Sequence, residues 1–328
     1  RDFVTFGTIQ TNLGTIKSDL NMKLPAGSEP VYSGKIASTN FELGKLLGNG
    51  NLGVISIDGD VKGRSFNSNK IVADLDGKIK SVYYNGYMYR NIETKGKLNK
   101  KLFDGFLSVN DSNAVLSLNG LIDFNGKAPK FDLDADVKKI NLQKLKLSGD
   151  DLAFNGKFYL NFTGNSIDDF LGKARVTEAA LFKDGTQLSF DSLVVSSEYI
   201  DGIKTLTAQS NELEATLRGE FSVEDIDKTV QLFLHRYYPA YIGATKYQSK
   251  KESFSFDIKT KNEDEYIKIV NKNLSGFNNS RVTGAVDLVG NKLNLVADIP
   301  EFAYKNYSFS NSKLTGTGNF DSLVVLSS

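Results

Sequence analysis

The side chains best suited to chemistry are few in this sequence, and they are poorly arranged for catalysis. The 328-residue chain has no cysteine and a single histidine, His235. His235 lies beside Arg236 in a predicted helix, with no serine or cysteine motif nearby, which favours a structural or surface role. The composition therefore argues against Ser-His-Asp catalysis, thiol chemistry and zinc sites built from Cys or His.

Carboxylates are the other candidates for chemistry. Asp132, Asp134 and Asp136 alternate along one stretch, and Asp74 and Asp76 repeat that spacing. Paired carboxylates can hydrolyse glycosides or bind calcium. The residues between these acids are mostly apolar, however, which is typical of a half-buried strand with a solvated acidic face. The sequence also lacks an EF-hand loop and a phosphate-binding glycine loop. We therefore expect no enzyme, no cofactor and no metal site.

Charge and hydropathy exclude further classes. The chain has 40 basic and 39 acidic residues, so nothing in its charge predicts nucleic acid as a partner. No apolar run approaches the roughly 18 residues that a membrane-spanning helix needs. The sequence begins at Arg1 and continues directly into a strand-like pattern, and we interpret it as a piece of a longer protein.

The dominant period of the sequence is two. In LAFNGKFYLNF, residues 152–162, the even-numbered residues are apolar or glycine and the odd-numbered ones mostly polar. Successive side chains of a strand point to opposite faces, so this pattern predicts a strand with one apolar face. The same alternation predicts strands at Val54–Val61, Ile71–Ile79, Ala114–Phe124, Phe131–Val137, Leu213–Phe221, Phe254–Ile258 and Val282–Leu288.

Glycine recurs on the apolar face without breaking its phase. The positions are Gly34, Gly59, Gly77, Gly120, Gly156, Gly219 and Gly284, each two residues from an apolar neighbour on either side. A turn would normally reset the phase, so these glycines are interpreted as mid-strand positions at which a long sheet bends into a trough. Ordinary hairpin turns that happen to keep the phase are the alternative.

One Asn-Gly pair does predict a tight turn. Asn85-Gly86 would place Tyr84 opposite Tyr87, and Val82 opposite Tyr89. The aromatic cluster at 83–89 has two interpretations, a sugar-stacking platform or a cross-strand packing pair.

Helical patterns are rare. Residues 222–238 carry an apolar stripe that includes Ile226, Val230 and Tyr237, with Ser222 and Asp225 as a capping box and a proline directly after. Residues 263–274 predict a second helix, and single helical turns are predicted at Asn40–Leu47 and Ser166–Leu171. The predicted helices have no secure role; they could cover an end of a groove or protect an edge strand.

The hexapeptide FDSLVV occurs twice, at residues 190–195 and 320–325. We interpret both copies as the same kind of strand in successive parts of a repetitive sheet. Two chance copies of a common strand pattern are the alternative.

These patterns predict an all-β fold: a long antiparallel sheet curled into an elongated apolar groove, with two amphipathic helices. We expect two sections, residues 1–165 and 166–328, of one continuous structure. Helices are too few to cover the apolar face, so a dry groove for acyl chains is the functional expectation. The residues expected to line it are Ile55, Ile57, Leu75, Ile79, Leu116, Leu118, Ile122, Phe124, Phe131, Leu133, Leu152, Phe154, Phe158, Leu160, Phe162, Leu217, Phe221, Val286 and Leu288.

Long stretches of the sequence resemble the TamB family in its Bacteroidota form. They include YSGKIASTNFELGKLLGNGNLGVISIDGDVKG (32–63), YNGYMYRNIETKGKLNKKLFDGFLSVND (84–111), LIDFNGKAPKFDLDADVKKINLQKL (121–145), SIDDFLGKARVTEAALFKDGTQLSFDSLVVSS (166–197), LFLHRYYPAYI (232–242) and SGFNNSRVTG (275–284). The resemblance covers nearly the whole chain and contains no catalytic motif.

The resemblance implies a repeating β-groove protein, related to AsmA-like proteins, in the periplasm of a Gram-negative envelope. It implies an inner-membrane anchor and a contact with an outer-membrane barrel of the Omp85 type, both through regions outside this sequence. Its implied function is to shield phospholipid acyl chains in transit between the two membranes. The family has no catalytic residues to carry over.

Two other functions remain open at this point. The chain could be a scaffold for assembling outer-membrane proteins, in which its edge strands pair with incoming strands. It could also be a cell-surface glycan-binding module that uses the aromatic cluster at 83–89.

Overall fold

The computed structural model shows an all-β protein. It describes residues 2–65, 67, 69–183, 185–237, 239–240, 242–246, 252–261, 267, 273–319 and 322–328. Within these residues, 21 strands belong to one antiparallel sheet, accompanied by two short helices. The predicted class, a long antiparallel sheet with few helices, is confirmed.

The chain forms two compact units. Unit 1 contains residues 1–161 and 178–185, and unit 2 contains residues 162–177 and 186–328. Along the sequence, the boundaries between the units lie at 161–162, 177–178 and 185–186, whereas a single division at 165–166 was expected. Strands β11 (Leu152–Thr163) and β12 (Leu171–Lys183) contribute residues to both.

Unit 1 is a meander in which neighbouring strands pair antiparallel. Its further strands are β1 (Asp2–Thr11), β2 (Gly14–Lys23), β3 (Val31–Thr39), β4 (Phe41–Glu42), β5 (Leu52–Arg64), β6 (Val72–Tyr84), β7 (Tyr87–Asn99), β8 (Leu102–Asn110), β9 (Ala114–Asp123) and β10 (Lys130–Asn141). The five-residue helix α1 (Leu43–Leu47) follows β4. Because β3 pairs directly with β5, the β4–α1 segment is an insertion that leaves the ladder intact.

Unit 2 repeats this design with a larger insertion. Its strands are β13 (Thr186–Ile200), β14 (Ile203–Ser210), β15 (Leu213–Glu220), β16 (Ser253–Thr260), β17 (Leu274–Gly276), β18 (Arg281–Asp287), β19 (Lys292–Tyr304), β20 (Tyr307–Gly318) and β21 (Leu323–Ser327). Helix α2 (Ile226–Tyr237) lies between β15 and β16 in the sequence. Those two strands still pair directly, from Glu220 opposite Ser253 onward.

All eight segments with strand-like alternation are strands, and all seven glycines on the apolar phase lie inside strands rather than in turns. Gly120 shows why glycine is needed there. Its φ is +137°, and an added Cβ would lie 2.3 Å from the carbonyl oxygen of Asp132 and 2.6 Å from the Cα of Leu133 on the neighbouring strand. A side chain cannot fit, so the two strands approach closely on this face.

The Asn85-Gly86 turn is confirmed. Both residues have positive φ, 48° and 85°, as a type I′ hairpin turn requires. Tyr84 pairs with Tyr87 and Val82 with Tyr89, as predicted.

The helix boundaries differ from the predicted ones. Helix α2 begins at Ile226 rather than at 222, because the Ser222 hydroxyl donates to the carboxylate of Asp168 at 2.6 Å as well as to Asp225 at 3.3 Å. The segment 166–171 is a turn followed by the start of β12, not a helical turn. The predicted helix at 263–274 lies mostly outside the described residues, and Leu274 is a strand residue.

Replacing Gly120 should destabilise unit 1. We expect Gly120→Ala to lower the free energy of unfolding by about 1–3 kcal/mol or more, because the residue must adopt a strained φ and displace the next strand. Gly149→Ala is the matched control, since Gly149 has open space around its Cα. Urea unfolding followed by circular dichroism measures both; equal midpoints would contradict the close approach.

The turn between β11 and β12 should make stability depend on pH. Hydrogen bonds from the backbone N–H groups of Asn165 and Ser166 lower the pKa of Asp169 from 3.8 to about 2. The stabilisation is therefore complete above pH 4 and is lost as the pH falls toward 2. We expect Asp169→Ala to melt below the wild type at pH 7, with the difference disappearing near pH 2 in thermal melts. A difference that does not depend on pH would contradict this role.

Candidate functional site

The candidate site is the apolar face of the sheet, which the strand register builds row by row. Residues opposite each other in an antiparallel ladder point to the same face. In unit 1, one row crosses six strands through Ile57, Ile79, Ile92, Val109, Leu116 and Val137. The next row crosses the same strands through Gly59, Gly77, Thr94, Leu107, Leu118 and Ala135. The predicted phase is thus common to all these strands.

The register places nine of the expected lining residues on this face of β5, β6, β9 and β10. They are Ile55, Ile57, Leu75, Ile79, Leu116, Leu118, Ile122, Phe131 and Leu133. Leu133 is buried at 7% exposure, and the other eight are partly buried. Phe124, directly after β9, is 53% exposed, and its ring meets that of Phe131 edge-on at 6.1 Å.

Strand β11 presents its even-numbered residues to the same face. The Asn161 side chain donates to Asp132 at 3.0 Å, and the register places Asp132 on the polar face. Leu152, Phe154, Phe158 and Leu160 therefore lie on the apolar face, and all four are partly buried. The rings of Phe154 and Phe158 are 5.5 Å apart. Phe162, which belongs to unit 2, contacts Phe170 with a centroid distance of 4.8 Å.

No layer of helix covers this face in the described part of unit 1. Its one described helix, α1, has five residues and is about 7.5 Å long, too short to shield the strands of this unit. Apolar side chains therefore remain partly accessible along the face, in agreement with a groove surface rather than a sealed core.

Unit 2 has an equivalent apolar face. One row crosses it through Leu206, Leu217, Phe256, Gly284, Leu295, Gly316 and Val325. The two FDSLVV copies have the same phase: Leu193 and Val195 lie on this face in β13, as Leu323 and Val325 do in β21. Phe320 and Asp321 lie outside the described residues.

Helix α2 covers part of the unit 2 face, which is closer to the first of the two roles that the sequence left open, covering a groove or protecting an edge strand. Val286 and Leu288, both expected in an open groove, are only 4% and 8% exposed and form a cluster with Phe254. Leu217 and Phe221 pack against this cluster from the sheet side, and α2 packs against it as well. The role of this helix, left open by the sequence, is thus to shield the apolar face.

The packed stripe of α2 differs from the predicted one, because Leu232 and Thr229 belong to it and Val230 does not. Thr229 is fully buried and its hydroxyl donates to the carboxylate of Glu252, itself 2% exposed, whereas Val230 is 45% exposed. The sequence signal was present, because Thr229 lies three residues after Ile226 and so falls on the same helix face. A buried polar pair at this interface was missed because only apolar residues were assigned to the stripe.

The opposite face of unit 1 is polar and paired. Lys78 forms an ion pair with Glu93 at 2.7 Å, and Lys95 with Asp76 at 2.9 Å. Hydrogen bonding to Glu93 raises the pKa of Lys78 above its usual value. These pairs line a depression of about 930 Å³, most of whose other lining residues are polar and which Ile79 and Ile92 also border.

The residues first considered for chemistry have structural contacts. The Nδ1 atom of His235 lies 2.5 Å from the carbonyl oxygen of Ile242. The hydroxyl of Tyr87 donates to Asp111, and that of Tyr89 to the carbonyl of Leu145 at 3.1 Å. The Tyr87 and Tyr89 rings meet edge-on at 4.8 Å, which favours packing over a sugar platform. Within the described ranges, no cluster of three or more metal-binding side chains occurs.

Comparisons with protein-family models, curated proteins and solved structures found no match for this chain. None of the helices in the described part of the chain is long and apolar enough to cross a membrane.

A charged residue placed on the apolar face of unit 1 should lower thermal stability much more at a buried position than at a partly exposed one. We expect Phe158→Glu to melt within a few degrees of the wild type, because a partly exposed carboxylate stays hydrated. Leu133→Glu should abolish cooperative melting, since a buried unpaired charge is very costly. Circular-dichroism melts measure both variants. If Phe158→Glu also unfolds the chain, the face around β11 is a closed core.

Proposed function

We propose that this chain shields lipid acyl chains along the apolar face of its sheet. The observation that carries the proposal is the continuous set of in-phase apolar rows in unit 1, in which most side chains stay partly exposed and a few, such as Ile92 and Val137, are buried. Soluble proteins seldom leave large contiguous apolar surfaces in water, and those that do mark sites of interaction. An acyl chain is the simplest ligand that matches an elongated surface with no fixed polar groups.

Burial supplies the driving force in this proposal. Each methylene moved from water onto an apolar surface contributes roughly 0.8 kcal/mol. Binding of this kind does not depend on the headgroup, which can stay in water at the edge of the sheet. It also allows a chain to slide, because neighbouring rows of Leu, Ile and Phe differ little in chemistry.

The resemblance to the TamB family extends the proposal. On that basis the ligand is a phospholipid, and the chain is a section of a bridge through the periplasm. The inner-membrane anchor and the contact with an Omp85-type barrel would lie in regions outside this sequence.

Site-specific photocrosslinking in Gram-negative cells tests the proposal. A photoreactive amino acid replaces Phe158 on the apolar face or, as the matched control, its neighbour Lys157. Lys157 faces the other way and pairs with Glu178 at 2.7 Å. We expect phospholipid to be captured at 158 and not at 157.

Equal capture at both positions, or capture at neither, would contradict lipid shielding. In that case, crosslinks from position 158 to outer-membrane proteins would identify the assembly scaffold instead.

A further inference from the structure

Helix α2 occupies the surface that the proposed function assigns to lipid in unit 2. Ile226, Leu232 and Tyr237 of the helix pack against the cluster of Phe254, Val286 and Leu288. The sheet residues of this contact lie on the same face as the rows of Leu217 and Phe256. Helix and acyl chain therefore compete for one surface.

The helix can leave this surface without breaking the sheet. It belongs to an insertion between β15 and β16, which pair with each other from Glu220 opposite Ser253 to Leu213 opposite Thr260. No strand pairing passes through α2. A 12-residue helix is also marginal on its own in water, so α2 depends on its docking.

The docking contact includes polar groups that favour water. Thr229 and Glu252 are buried together and hydrogen-bonded. The hydrogen bond from the Tyr237 hydroxyl to the carbonyl oxygen of Asn319 is exposed and does not add to this buried pair. Burying a polar group costs the free energy of its hydration, and the hydrogen bond it forms inside the protein recovers only part of that free energy. Lifting the helix rehydrates them, so this interface opens more readily than an apolar interface of equal size.

We propose that α2 is a displaceable plug. It shields the apolar face of unit 2 when no lipid is present and gives way to an acyl chain at Val286 and Leu288. This inference rests on the proposed function, because the ligand that displaces the helix is the one proposed to run along the sheet.

Thiol labelling of a single cysteine tests the plug directly, since the chain has none of its own. Leu288→Cys places a thiol under α2. Thr229→Val, which keeps the side-chain shape but removes the hydroxyl, should raise the maleimide labelling rate about tenfold. Val230→Thr makes the reverse change at an exposed position of the same helix and should leave the rate unchanged. Equal rates in the two variants would overturn the plug.

A second thiol position separates local opening from unfolding. Leu133→Cys, buried in unit 1, should label at the same slow rate with and without Thr229→Val. If it accelerates as well, Tyr237→Phe replaces Thr229→Val, because it removes the hydroxyl that donates to Asn319 and keeps the ring. Faster labelling at 288 alone then supports the plug, and an unchanged rate at 288 overturns it.

Crosslinking with photoreactive palmitate tests whether an acyl chain reaches the surface under α2. We expect capture on β11 in the wild type, and capture on β16 and β18 that increases at least fivefold with Thr229→Val but not with Val230→Thr. Capture on β11 together with unchanged capture on β16 and β18 overturns the plug and leaves lipid shielding intact. Capture nowhere, even with the helix loosened, overturns lipid shielding itself.

Discussion

The structure depends on one constraint, the phase of side chains across paired strands. A slip of one residue in any pairing would move the apolar set of that strand into water and its charged set onto the apolar face. In unit 1 the row from Ile57 to Val137 keeps phase across six strands, and in unit 2 the row from Leu206 to Val325 keeps phase across seven. Two neighbouring strands sometimes have different numbers of residues between the same paired positions. A bulge, such as the one between Ser56 and Ile57, then restores the phase.

The apolar face is covered by helix to different extents in the two units. Unit 1 leaves its apolar rows partly exposed beside a short helix, while unit 2 places α2 over Val286 and Leu288. Both helices occur in insertions between strands that pair directly. The strand pairing therefore does not pass through the helices, so coverage of the apolar face can differ between sections while the ladder stays the same.

Much of this arrangement could be predicted from sequence because it is local. Alternation over five to eleven residues located eight of the strands, and unbroken phase through Gly59 or Gly120 distinguished mid-strand glycines from turns. The start of α2 and the environment of Val286 could not be predicted, because both depend on distant partners. The Ser222 hydroxyl donates to the carboxylate of Asp168, which comes much earlier in the sequence. The Thr229 hydroxyl donates to the carboxylate of Glu252, 23 residues later.

The central claim is that the apolar face binds acyl chains and the opposite face does not. Adjacent residues on β9 allow a direct measurement, since Leu118 faces the apolar rows and Asn119 the polar side. A bimane fluorophore on Leu118→Cys or Asn119→Cys, in the purified chain, is titrated with stearate carrying a nitroxide on its acyl chain. Saturable quenching at 118, with only weak linear quenching at 119, is the predicted result. Equal quenching at both positions, or none at 118, would contradict the account.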